Sequence, residues 1–249
     1  MQTKDIAYTC GEKALTGYLA DGSGGKAAPG ILLCHQGGGL TEHTRERARM
    51  LAELGYVAFA LDMYGEVATS REQAMSLLNG LAGDPSLLRA RAGAGLKVLT
   101  MEADVDTDRL AAIGYCFGGW AVLEMAREFP ELACVVAFHP GLTGLPESDP
   151  RKVTAKVLVC AGADDPLIPP DARTRLAALM ISAGADWQLN IYGGAGHSFT
   201  DRSVDAMGIP HFSYHEPTDR RSWKAMRDLF DETWGRSDRG ALGDADFAA

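Results

Sequence analysis

Ile113-Gly114-Tyr115-Cys116-Phe117-Gly118-Gly119 decides how the rest of the chain is read. Upstream, Leu110-Ala111-Ala112-Ile113 is a short apolar run suited to a buried strand; downstream, Gly118-Gly119-Trp120-Ala121-Val122-Leu123 can open a helix without crowding the turn. Glycine stands two before and two after Cys116, where a Cβ would strike the adjoining strand or helix of so tight a turn. The spacing predicts a strained strand-to-helix turn with Cys116 at its apex, a nucleophile elbow carrying sulfur where serine is more usual. A cysteine at the foot of a helix feels unpaired backbone N–H groups and the positive end of the helix dipole, both of which favour thiolate. Free cysteines are more often small buried hydrophobes, so the nucleophile reading needs partners elsewhere in the chain.

Working outward, strand and helix patterns alternate. Ile6–Cys10 and Ala14–Ala20, joined across Gly11-Glu12-Lys13, read as an antiparallel hairpin. Gly30-Ile31-Leu32-Leu33-Cys34-His35 is apolar without alternation, the mark of a strand covered on both faces in a parallel sheet. Helical spacing follows from Glu42 to Leu54, then a buried strand at Tyr56–Leu61. Ser70–Leu81 and Ser86–Leu99 read as helices split by Gly83-Asp84-Pro85. After the elbow and its helix come strands at Ala133–Phe138, Ala155–Ala161 and Trp187–Tyr192, a helix at Asp171–Ala183, and a closing amphipathic helix at Arg220–Trp234. This order implies an α/β fold: a mainly parallel, doubly wound sheet flanked by helices, with an N-terminal hairpin and its functional loops at the carboxyl ends of the strands. The expected organisation is one domain over residues 1–235, followed by a Gly/Asp-rich tail at 236–249 expected to be flexible.

Composition narrows the function class. A chain of 249 residues, 46% hydrophobic and 23% charged, can bury one sizeable core. The net charge of −9 gives no basic footprint for nucleic acid or an anionic membrane. Gln2-Thr3-Lys4-Asp5 is polar and no apolar run reaches the roughly 18 residues needed to span a bilayer, so a cytoplasmic location is expected. The five cysteines show no CxxC or Cys/His ligand spacing, which argues against disulfides and structural zinc. The partner expected is a small-molecule substrate, with the protein a monomer or homodimer.

If every loop after a strand points to one rim, the partners of Cys116 should lie there. Asp164 and Asp165 follow the 155–161 strand in Gly162-Ala163-Asp164-Asp165-Pro166, and His197 follows the 187–192 strand in Gly193-Gly194-Ala195-Gly196-His197. Nucleophile, acid, histidine is the chain order of the α/β-hydrolases. A tetrahedral oxyanion needs two preorganised donors: the Phe117 N–H, just past the nucleophile, and an N–H after Cys34-His35-Gln36, with Gly37 the favoured one.

With these residues assembled, the chain resembles the dienelactone hydrolase family (carboxymethylenebutenolidase-like). The resemblance rests on Gly-Tyr-Cys-Phe-Gly-Gly at 114–119, Gly-Ala-Asp-Asp-Pro-Leu-Ile-Pro at 162–169, Ala-Gly-His-Ser-Phe at 195–199, Asp62-Met63-Tyr64 and Arg71-Glu72-Gln73-Ala74. It implies cofactor-free, metal-free hydrolysis of an ester or lactone by Cys116, His197 and Asp165, the acid standing three after the loop glycine. Gln36, Arg71 and Arg202 are the substrate-binding candidates. Gln36 occupies the place of a family glutamate, and Asp201 that of a second arginine, with Arg202 beside it. Arg91 reads as a buried helix anchor. The alternative is a non-catalytic binding or regulatory protein that keeps the fold.

Overall fold

The computed structural model describes residues 1–142, 145–146 and 148–235; the tail at 236–249 lies outside the described residues. Its strands are β1 (Gln2–Cys10), β2 (Lys13–Asp21), β3 (Ala28–Cys34), β4 (Val57–Leu61), β5 (Val105–Tyr115), β6 (Leu132–Phe138), β7 (Lys156–Gly162) and β8 (Asp186–Tyr192). They form one eight-stranded sheet in the order β1-β2-β4-β3-β5-β6-β7-β8. β1 and β2 make the antiparallel hairpin, and β2 joins β4 antiparallel. All pairings from β4 across to β8 are parallel. The chain is an α/β-hydrolase in fold.

The helices are α1 (Glu42–Glu53), α2 (Arg71–Ala82), α3 (Pro85–Thr100), α4 (Phe117–Glu128), α5 (Pro170–Ala183) and α6 (Glu216–Trp234). The sequence explains their ends. Ser70 accepts from Gln73 N–H to cap α2, Asp84 accepts from Leu87 N–H to cap α3 with Pro85 in its first turn, and α5 stops at Gly184 in the left-handed region. A short 3₁₀ helix, Arg202–Met207, had no periodic signal in the sequence; Asp201 caps it through Ser203 N–H.

Two apolar layers sandwich the sheet, and β3 shows why its run is continuous. Leu32 and Cys34 pack toward α3 and α4, while Ile31 and Leu33 pack with Leu51 of α1 and Trp223, Met226 and Phe230 of α6. Each such fully buried Leu, Ile or Phe adds about 2 kcal/mol. α1 and α6 are also joined by a buried ion pair, Arg47 Nη2 to Asp219 Oδ2 at 2.7 Å. The same guanidinium donates to the Thr200 carbonyl at 2.6 Å. This face of the molecule thus grips the loop after β8, which carries His197.

β3 lies between β4 and β5, so connections leave it in opposite directions and a crevice opens beyond the carboxyl ends of β3 and β5. Gly37 follows one of these strands and Cys116 the other. Among the described residues, no helix is long and apolar enough to cross a membrane.

Candidate active site

Cys116 sits between β5 and α4 with φ 54° and ψ −112°, a backbone geometry that L-residues avoid. The turn is held from both sides: Cys116 N–H donates to Phe138 O at 3.0 Å, and Cys116 O accepts from Trp120 N–H at 3.2 Å. Its glycines are required by contact. A Cβ on Gly114 would lie 2.0 Å from Gly118 O, and one on Gly118 would lie 2.2 Å from Cys34 O. Helix and strand can therefore approach only if both positions lack side chains.

Loops after β7 and β8 supply the next groups. Asp165 is buried, accepts from Leu167 N–H at 2.8 Å through one oxygen, and from His197 Nδ1 at 2.8 Å through the other. That contact fixes the proton on Nδ1 and leaves the buried Nε2 without a hydrogen-bond partner. Asp164 instead ties the two loops together, its N–H donating to Ala195 O at 3.0 Å. Gly162 lets them meet, since a Cβ there would lie 2.3 Å from Ala195 O. A strap formed by residues 211–213 holds His197 from outside: His197 N–H donates to His211 O at 2.6 Å and Ser213 N–H to His197 O at 3.2 Å. The imidazole packs against Phe212, with centroids 4.7 Å apart, and edge-on to buried His139 at 5.2 Å.

The electrostatics of the group are unlike those of the other buried thiols. Burial pushes the Cys116 thiol up, but the charge of His197, with the N–H groups of Phe117 and Gly37, outweighs it and holds the thiol below its ordinary value. Burial likewise disfavours a charged His197, yet Cys116 and Asp165 outweigh it and raise the imidazole to about 10. The direction is that of a thiolate–imidazolium pair. The Phe117 and Gly37 N–H groups are among the influences that lower the thiol. His35 steadies the Gly37 loop: its Nδ1 donates to Gln36 O at 2.6 Å and its Nε2 accepts from Met63 N–H at 3.1 Å.

A cavity of about 1080 Å³ opens over these groups. Cys116, His197, Gln36, Gly37, Arg71 and Arg202 all border it. Arg71 is exposed at the start of α2, and Arg202 lies over the Tyr214 ring at 4.6 Å. Gln36 uses its amide within the protein, donating to Asp201 Oδ2 at 2.7 Å and to His43 Nδ1 at 3.3 Å. Arg91 is buried and donates to Met63 O at 3.0 Å, which makes it an anchor of the loop after β4. His43, His139 and Thr200 border or back the site without having been singled out in the sequence. Their only signal is that polar residues are buried there. Among the described residues, no group of three or more His, Cys, Asp or Glu side chains is gathered to hold a metal.

The model of the dienelactone hydrolase family matches residues 15–234. The chain belongs to this family. A dienelactone hydrolase-like promiscuous phosphotriesterase from metagenomic libraries is 38% identical, with a TM-score of 0.88 over 93% of this chain and 98% of the other. A solved structure designated m3DLH is 41% identical, with a TM-score of 0.86 and the same coverage. A Bradyrhizobium sp protein named "Probable 2-oxo-3-(5-oxofuran-2-ylidene)propanoate lactonase" is 28% identical over 224 residues, 83% of this chain and 89% of its own. Both solved structures cover 93% of this chain, so the likeness to these dienelactone hydrolase-like proteins extends over almost the whole sheet.

Proposed function

We propose that this chain hydrolyses a small carboxylic ester or lactone through a thioacyl intermediate on Cys116. The observation that carries the reading is the setting of His197, buried with Nδ1 on Asp165 at 2.8 Å and Nε2 left without another partner, while its charge lowers the Cys116 thiol.

The Cys116 thiolate adds to the acyl carbon. The oxyanion formed from the carbonyl oxygen rests on Phe117 N–H and Gly37 N–H, which are fixed before substrate arrives and need no reorientation during reaction. As the tetrahedral centre collapses, the C–O bond to the alcohol breaks and the departing oxygen takes the proton from His197 Nε2. In a lactone the alcohol stays tethered to the acyl group. A water molecule then gives its proton to neutral His197 as its oxygen adds to the thioester, and collapse expels the thiolate and releases the acid. Asp165 keeps Nδ1 protonated and stabilises the imidazolium both in the resting pair and when it re-forms on deprotonation of water. Activated esters and lactones suit this nucleophile, because thiolate leaves more readily than an amine and an amide adduct would revert.

The test is Cys116→Ala with p-nitrophenyl acetate and a model lactone. The reading expects hydrolysis to fall to the background rate. Retention of the wild-type rate overturns it.

A further inference from the structure

We propose that Asp201 makes the cavity selective for esters and lactones that carry no carboxylate, an inference that rests on the hydrolytic reading above. Asp201 borders the cavity and is 6% exposed. Its Oδ2 accepts from Gln36 Nε2 at 2.7 Å, and its Oδ1 accepts from the Ser203 N–H at 2.8 Å and the Ser203 hydroxyl at 2.7 Å. An amide, a backbone N–H and a hydroxyl are neutral donors, so they fix the carboxylate without cancelling its charge. Burial favours the protonated acid, but the neighbouring His43 ring and the Ser203 and Gln36 hydrogen bonds outweigh it, and the group stays below its ordinary range. Asp201 is thus ionised at neutral pH.

Its place puts this charge close to the chemistry. Gln36 precedes Gly37, which borders the cavity with Cys116, and Gln36 Oε1 also accepts from Ser198 beside His197 at 3.4 Å. Asp201 is therefore one side chain away from both reacting loops. The rest of the lining includes a broad apolar surface with Met75, Leu78, Trp120, Ile209 and Phe212. Methionine and aromatic side chains there adapt to uncharged groups of varied shape. Arg71, which could draw an anion, is solvent-exposed, where water and salt weaken its pull. A buried carboxylate is screened far less; of the other lining cations, Arg47 is committed to Asp219 at 2.7 Å and Arg202 lies over the Tyr214 ring, so repulsion at Asp201 outweighs attraction at Arg71.

The experiment compares 4-acetoxybenzoate with its methyl ester, each kcat/KM divided by the ester's own alkaline hydrolysis constant. For the wild-type enzyme we expect the methyl ester to be favoured by about tenfold or more, mainly through KM, the ratio that one poorly screened like-charge contact produces. In Asp201→Asn, checked for folding by its thermal transition, the preference should shrink to about threefold or less. If that variant does not fold, Asp201→Ser takes its place in the same comparison. Equal or faster hydrolysis of the carboxylate ester by the wild type overturns the proposal, as does a preference that persists unchanged in folded Asp201→Asn. Hydrolysis of neither ester overturns the activity reading itself and the selectivity with it.

Discussion

Cys34 and Cys116 lie close together in the sheet and have opposite chemistry. Cys34 ends β3 opposite Gly114 of β5, two residues before Cys116. Its thiol is fully buried, 3.7 Å from the Met125 sulfur, and burial pushes it up to about 12. Cys116, the first residue past the end of β5, is held below the ordinary thiol value. Burial acts on both. What differs is the strained turn at Cys116, where the charge of His197 and the Phe117 and Gly37 N–H groups oppose burial, whereas burial dominates at Cys34. Cys134 and Cys160, inside β6 and β7, are also pushed up to about 12 by burial. The lowered thiol thus belongs to the end of the strand, not to the residue type.

The comparison breaks most visibly by exchange of the two residues for alanine. Cys116→Ala should lower kcat/KM for p-nitrophenyl acetate by about 10⁴-fold or more, as loss of a nucleophile does in a concerted group. Cys34→Ala should leave the rate within about twofold and reduce unfolding free energy by about 1 kcal/mol in urea titration, a packing loss only. Next in size, Asp165→Asn should cost about 10³-fold in kcat while the fold survives, because the imidazole loses the partner that fixes its tautomer. An Asp165→Asn enzyme with near-normal kcat would mean that the 2.8 Å contact to His197 is structural.

Backbone geometry offers a third way to break it. Gly118→Ala places a Cβ against Cys34 O and should destabilise by about 3 kcal/mol, measured by denaturant titration, whereas Gly141→Ala, with nothing within 4 Å, should change stability by less than about 0.5 kcal/mol. Similar losses at both sites would show that the elbow is looser than described.

That elbow was the most legible part of the sequence, because its steric demand is local and written in Gly114 and Gly118. The acid and histidine loops were legible for a related reason: each follows an apolar run, and each needs glycine where two backbones meet. The environment of Asp201 was not. Gln36 and Asp201 are 165 residues apart, and His43 meets the Thr200 carbonyl across 157. Such contacts depend on how α1 settles against the β8 loop, and no spacing rule records that. The 3₁₀ helix at Arg202–Met207 was invisible for a similar reason, being too short to show a period.

The smallest effect concerns protons. The lowered Cys116 thiol should keep iodoacetamide alkylation fast at neutral pH and let it fall only on acidification, as the thiolate takes up a proton. Cys34, Cys134 and Cys160 should stay unmodified until the protein unfolds. In kcat/KM the acid limb should follow that same protonation. The alkaline limb should follow loss of the His197 proton near pH 10, since neutral imidazole cannot protonate the leaving oxygen. Peptide mapping of alkylated protein and a pH–rate profile check these points.

The most direct measurement is the mass of the enzyme quenched in acid during turnover of an activated ester, followed by peptide mapping. One added acyl group on the peptide holding Cys116, absent from Cys116→Ala, is the result expected. An acyl group on another residue, or full-rate hydrolysis by Cys116→Ala, would contradict the assignment of the sulfur as nucleophile.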